Sequence, residues 1–325
     1  MRIWIRAYAT SKVCVRHLLK LAYMRETKGG QVARSSAIAS LRINRRVTGV
    51  ARRLSAGSPV GAMSAAFIIA VVFLGVFADQ IAPFGPLETD YDHIREPPTP
   101  DHLFGTDSLG RDVLSRIIHG TRVSLWVAII AVAMSKAVGL AWGVLTGYLG
   151  GKFDLISQRF LDVLISFPGV ILALLLLVAL GTGMTTVIIA IAVTGIAGTT
   201  RVIRSVTLSV REMSYVEAAR AVGASPLRIM VRHVAPQTIA PVLVLVSASL
   251  GGAIFAEAAL SFLGMGVPPP APSWGNILGG TLAQSFKPPW WMALFPGLAI
   301  MLTVLSMNLT GDWLRDRLDP RLRQT

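Results

Sequence analysis

The sequence predicts an all-α integral membrane protein of six transmembrane helices, with a short helical hairpin inserted between spans four and five. Three observations predict it. Of the 325 residues, 53% are hydrophobic and only 15% are charged, whereas soluble domains carry about 25% charged residues. The charges are segregated between apolar runs, and about 20 apolar residues of helix cross ~30 Å of hydrocarbon. Between two such runs stands a polar insertion, 201–237, with six arginines and two glutamates; it cannot itself lie in lipid.

Residues 1–59 hold thirteen Lys/Arg against the single Glu26 and no long apolar run. They read as a mostly disordered cytoplasmic tail attracted to anionic lipid headgroups, the rival reading being a mis-assigned start, with Met24 as an internal candidate. The net charge of +14 belongs to segments flanking membrane spans, so lipid is the expected partner and nucleic acid is not. The single cysteine, Cys14, offers no intramolecular disulfide. There is no CxxC, no HExxH and no phosphate-binding G-x-x-x-x-G-K-[ST], so no cofactor, metal or nucleotide site is expected in this chain.

The first span is Val60 to about Asp79, closed by Pro83 and Pro86. The polar loop 80–121 follows, with seven acidic residues and three arginines. Within it Asp107, Arg111 and Asp112 stand among Gly105 and Gly110, a pattern that suggests a fixed turn held by ion pairs. Span two runs from about Val123 to Tyr148. Ser135, Gly139, Gly143, Gly147 and Gly151 recur every four residues along it, a ridge of small side chains that lets another helix approach closely. Lys136 sits beside that ridge, deep in an apolar segment.

A short loop with Lys152, Asp154 and Arg159 leads to span three, about Leu161 to Leu180. Phe167-Pro168-Gly169 should kink it, because proline removes a backbone donor and clashes with the preceding turn. Such breaks often line a transport pathway. Span four, about Thr185 to Gly198 with a possible extension to Arg201, is short. Span five is about Ile239 to Phe255, followed by Glu257, which either contacts a solute or pairs locally. Pro268-Pro269-Pro270 reads as a stiff extended element. Span six runs from Trp290 to about Leu309, bracketed by Trp290, Trp291 and Trp313 as interfacial aromatics. The segmentation expected is a tail (1–59), a module with the first helix and its loop (60–118), and a five-helix transmembrane unit (119–325).

The hairpin has its own punctuation. Ser214 and Glu217 form a capping-box pattern, and Glu217 to Val222 are good helix formers. Gly223 fits the left-handed C′ position that ends a helix. Ser225-Pro226 is an N-cap followed by proline at N1, so a second short helix starts at once and runs toward Pro236. Ala218 and Ala219 leave a low-relief surface suited to close packing by another protein.

Charge sets the orientation. Segments 148–160, 201–237 and 312–325 carry twelve Lys/Arg, against four in 80–121 and 259–289. The positive-inside rule places both termini and the hairpin in the cytoplasm.

Glu217-Ala218-Ala219, then Gly223 and Pro236, resemble the EAA motif of membrane subunits of bacterial ABC importers. The run from Tyr215 to Ser225 is similar to the dipeptide/oligopeptide/nickel permease family, as are His102 to Asp112, the AEAALSFLGMG string around Glu257, and the ending Asn308 to Arg321. The resemblance spans about residues 60–325. It implies an inner-membrane permease that pairs with a second, related permease as a heterodimer. It also implies two cytoplasmic ATPases, and an extracytoplasmic binding protein that delivers the solute. The hairpin would then be the coupling element, with Glu217, Ala218, Ala219, Gly223 and Pro236 in the ATPase cleft. From the residues themselves, Pro168 and Glu257 are candidate pathway positions, with a packing kink and local pairing as the respective alternatives, while Ser135, Gly139, Gly143 and Gly147 serve helix packing. ATP hydrolysis would belong to the separate subunits, not to this chain. A self-sufficient secondary transporter or channel is the alternative. Such proteins commonly need ionisable groups at mid-membrane, and here only Lys136 offers one. No acid–base or metal-spaced cluster in or beside the spans supports a membrane enzyme.

Overall fold

The computed structural model describes residues 59–283 and 288–318. Nearly all of the expected tail, and Cys14, lie outside the described residues. The described residues of segments 60–118 and 119–325 fall within one compact unit.

Among the described residues the chain is helical, with a single isolated bridge between Thr106 and Asp112. Helix α1 covers Pro59–Val76 and is followed by the one-turn α2, Ala78–Ile81. A 3₁₀ turn at Tyr91–His93 lies in the loop. Helix α3 is Val113–Leu149, 37 residues. It starts at Val113 rather than near Val123 because Asp112 caps it: Asp112 Oδ2 accepts from the Ser115 backbone N–H at 2.7 Å, which satisfies one of the first-turn donors. The early start carries Arg122 to the end of α1. Its guanidinium donates to the carbonyls of Gly75 (3.0 Å) and Val76 (3.1 Å) and to Asp79 (2.9 Å). A cation thus covers the unpaired carbonyls at the negative end of α1. The same Arg122 hydrogen bond is the largest influence holding the Asp79 carboxyl below its usual range.

Helix α6, Met184–Arg211, is twice as long as the expected fourth span. Its Thr199, Ile203 and Thr207 are met by the α3 ridge. A Cβ on Gly139 would lie 2.6 Å from Thr199 Cβ, one on Gly143 2.7 Å from Ile203 Cβ, and one on Gly147 2.7 Å from Thr207 Cβ. Ser135 closes the series from the other side, its Oγ lying 2.5 Å from where a Cβ on Gly195 would be. Every fourth residue of α3 therefore seats against every fourth residue of α6, at a separation only glycine allows. Gly151 leaves this ridge. It and Gly150 have φ of +61° and +65°, conformations that glycine adopts readily, and they turn the chain into the next helix. Lys136 is buried in the same seam, and its Nζ donates to Thr199 Oγ1 at 2.9 Å.

The third span is broken, not merely kinked. Helix α4, Gly151–Ser166, takes in the expected loop, and α5, Gly169–Leu180, departs from it at 95°. Phe167 is extended (φ −89°, ψ 134°), as a residue before proline prefers. Twelve residues of α5 span roughly 18 Å, short of the bilayer core. Among the described residues, five helices are long and apolar enough to cross a membrane, or up to six if the bent pair counts as one span. Helix α4 is anchored to α6 by ions: Arg204 grips Asp154 through two hydrogen bonds of 2.6 and 2.5 Å, and Arg201 pairs with Asp162.

After the hairpin helices α7 (Ser214–Ala221) and α8 (Pro226–Ile229), a π-helical turn at Met230–Val234 leads into α9, Ala235–Phe262. The second hairpin helix is therefore not a separate piece. It is the first turn of one apolar rod, Pro226–Phe262. Pro236 offers no backbone donor, and a widened turn accommodates such a residue where a regular α-turn would not.

Helix α10, Trp274–Ala283, is ten residues and does not cross. It lies on α9 through Gly275 and Gly279, where a Cβ would come within 2.3 Å of Ala258 O and 2.4 Å of Phe262 O. The Pro268–Pro270 run before it is a turn with a cis Pro269–Pro270 bond, not an extended rod. Helix α11, Trp290–Leu318, closes the unit. The aromatics that bracket it do not all face lipid. Trp291 is buried and its Nε1 donates to Thr106 O at 3.2 Å, and Trp313 packs over Gly61. Trp290 is exposed.

Candidate functional site: the helical hairpin

The hairpin is built on a small core of its own. Val216, Ile229, Met230 and Val234 cluster with Val144, Ile203 and Val210 of α3 and α6, and Ala219 and Tyr148 pack against them. One apolar residue per turn of α7 is enough to seat it, because the helix has only eight residues. Arg211 fastens the far end of α6 to α3 through the Gly147 carbonyl at 3.0 Å. Arg220 lies over the Tyr148 ring, 5.3 Å from its centroid.

The punctuation is partly as expected. Helix α7 starts at Ser214, with Met213 as N-cap and no side-chain cap bond, so the capping box does not form: Ser214 is already one position inside the helix. Gly223 has φ +80°. Its N–H donates to Arg220 O at 2.9 Å, and the Ala224 N–H to Ala219 O at 3.1 Å. Those two bonds are a Schellman closure, which needs a left-handed residue at C′. Ser225 caps α8, accepting from the Arg228 N–H at 3.4 Å, with Pro226 at N1.

Glu217, Ala218, Gly223 and Pro236 are exposed, while Ala219 is half-buried. The low-relief face therefore consists of Ala218, not of both alanines. Beside it the hairpin displays apolar side chains that the unit itself does not cover. Val222 is 85% exposed and Leu227 66% exposed, with Met213, Tyr215 and Val231 nearby in the chain. A rigid polar hairpin that presents uncovered valine and leucine has the character of a protein-docking surface.

The other expected site residues lie elsewhere. Pro168 is exposed at the α4–α5 break. Glu257 is 0% exposed. Its Oε1 accepts from Ser261 Oγ at 2.7 Å, and the hydroxyls of Ser124 and Ser273 flank the carboxyl. The neighbouring Trp274 N–H donates to Ser124 Oγ at 3.3 Å and its Nε1 to Ile117 O at 3.1 Å. Glu257 thus sits at the junction of α3, α9 and α10 rather than on an open wall. Asp107 holds its loop as expected: Oδ1 accepts from the backbones of Leu109 (2.8 Å) and Arg111 (3.0 Å), and Oδ2 takes Arg111 and Arg116. Ser124, Ser273 and Trp274 carry no signal in the sequence that would place them with Glu257. The i, i+4 glycines 275 and 279 were the available hint of close packing there.

Residues 139–324 match the family of binding-protein-dependent transport system inner membrane components. The glutathione transport system permease protein GsiD of Escherichia coli O1:K1 / APEC is 42% identical over 264 residues, covering 81% of this chain and 87% of that protein. GsiD of Pectobacterium atrosepticum is 40% identical over 258 residues, covering 79% and 85%. The fold is also that of an inward-facing MetNI methionine ABC transporter chain, with TM-score 0.51, 18% identity, and coverage of 63% of this chain and 97% of that one. The chain belongs to the binding-protein-dependent transport system inner membrane component family. It is an integral inner-membrane permease subunit of an ABC importer; the family works with ATPase and binding-protein components, and ATP hydrolysis resides on separate subunits.

Proposed function

We propose that this permease forms half of a pathway for a short peptide or a solute of similar chemistry, and that its hairpin couples the spans to ATP hydrolysis. The observation that carries the coupling role is the exposed apolar edge of a hairpin whose inner face is locked to α3 and α6. Movement of an ATPase against Val222 and Leu227 would be passed to both helices together, because Val216 and Ile229 sit in their common core. A packed element with two arrangements, biased from both ends, is what such coupling requires physically.

The reading includes a second, related permease across the pathway, two cytoplasmic ATPases, and an extracytoplasmic binding protein. Both termini and the hairpin lie in the cytoplasm, as the arginine distribution argues. The exposed break at Pro168 faces the partner permease and the pathway. Glu257 serves as a buried anchor for α10. Support for a peptide-class solute comes from the relatives named for glutathione transport and from the resemblance to dipeptide, oligopeptide and nickel permeases.

Reconstituted uptake of radiolabelled glutathione and of a dipeptide, with the binding protein and ATPases supplied, tests this reading. Gly223→Pro removes the N–H that closes α7, and Glu217→Lys reverses an exposed charge. Both variants should insert normally and lose uptake by at least about 10-fold, the effect of losing ~1.4 kcal/mol of coupling. Wild-type uptake by both would refute the coupling role.

A further inference from the structure

The loop between α1 and α3 brings three ligand groups together. Asp90 caps the 3₁₀ turn, His93 ends it, and His102 follows nine residues on. One ligand atom from each lies within 4.8 Å of the others. Backbone bonds hold the two strands of the loop in register: Asp90 N–H to Gly110 O at 3.1 Å, Arg95 N–H to Asp107 O at 3.1 Å, and Thr106 N–H to Glu96 O at 3.0 Å. The group is therefore preassembled by the fold.

His102 is oriented by a carboxylate outside the group. His102 is buried, and its Nδ1 donates to Asp112 Oδ1 at 3.1 Å. That bond fixes the tautomer and leaves Nε2 as an electron-pair donor, the arrangement found behind metal-bound histidines. His93 Nδ1 lies 2.7 Å from Asp90 Oδ2, so these two atoms face one point and are the ligand atoms the two residues offer.

We propose that Asp90, His93 and His102 form a binding site for a divalent transition cation of the zinc type, with solvent completing the shell. Two imidazoles with one carboxylate suit zinc, and not magnesium or calcium, which prefer all-oxygen shells. Zinc–ligand bonds of ~2.0–2.2 Å in a tetrahedron put ligand atoms about 3.4 Å apart. From separations of up to 4.8 Å, the exposed turn at His93 closes by up to about 1.4 Å to meet that. The metal then clamps segment 90–93 to segment 102–112, and hence to the Asp112-capped start of α3. The sequence hid this set because its spacing, Asp90-x-x-His93 and then His102, matches no short metal motif.

The full-length chain, purified in detergent on an affinity tag free of histidine, is stripped with EDTA and titrated with Zn²⁺ against a chromophoric chelator. One equivalent should bind with Kd below about 1 μM, and saturation should raise the melting temperature. His93→Ala and Asp90→Asn should each weaken binding by at least about 10-fold while melting like the wild type without metal. His233→Ala and the double variant Cys14→Ser/His17→Ala should retain the equivalent. Absence of stoichiometric binding, equal binding by His93→Ala and Asp90→Asn, loss with Cys14→Ser/His17→Ala, or displacement by a thousandfold excess of Ca²⁺ would each overturn the proposal.

Discussion

Gly143 has Ile203 Cβ 2.7 Å and the Thr200 carbonyl 2.8 Å from where its own Cβ would stand. No side chain fits there without separating α3 from α6. Gly143→Leu should therefore destabilise the unit by about 1–3 kcal/mol, the usual range for overpacking a dense interior. Thermal unfolding in detergent checks it; a midpoint equal to that of the wild type would mean that the two helices do not approach as described. Gly198 offers an internal control, because nothing lies within 4 Å of a Cβ there, and Gly198→Ala should leave the midpoint nearly unchanged. Period-four glycines were legible in the sequence as a packing face. Their partners were not, because the facing α6 residues, Thr199, Ile203 and Thr207, are ordinary for any apolar helix. Trp291 misled for a related reason: a tryptophan beside a span suits the membrane interface, and only the position of the Thr106 carbonyl shows why this one turns inward.

At the scale of elements, polar residues decided where the sequence could be followed. Asp112 and Arg122 extend α3 beyond the apolar run, and Arg201, Arg204 and Arg211 extend α6, so hydropathy alone misplaced those ends. The same residues that mark a helix as leaving the bilayer let it continue, because each charge finds a partner on a neighbouring element. The Asp154–Arg204 pair shows the effect. Both side chains are largely buried, at 15% and 29% exposure, and the contact is bidentate, so their interaction is less screened than that of a surface pair. A double-mutant cycle with Asp154→Asn and Arg204→Gln should return a coupling energy of about 1 kcal/mol between α4 and α6. Additive effects would indicate that the two helices are held by their apolar contacts alone. The break at Pro168 was legible as a kink from Phe-Pro-Gly. Its 95° angle was not, since it follows from α4 being tied flat to α6 by those ion pairs.

For the molecule as a whole, the hairpin joins what is visible to what is proposed. Its inner residues belong to the core of α3 and α6, and its outer residues are apolar and uncovered. The turn chemistry of Gly223, Ser225 and Pro226 was readable because a left-handed C-cap and a proline at N1 leave few alternatives. The capping box was not realised, and the second hairpin helix merges into α9, because a proline at the head of an apolar rod is compatible with continuing it. The measurement that tests the coupling role most directly is co-purification of tagged permease with its ATPase in mild detergent, comparing wild type with Val222→Asp. Val222 is 85% exposed, so the change should leave the fold intact. The account predicts that wild type retains the ATPase and a second permease, and that Val222→Asp keeps the second permease but loses the ATPase. Undiminished ATPase retention by Val222→Asp would contradict it.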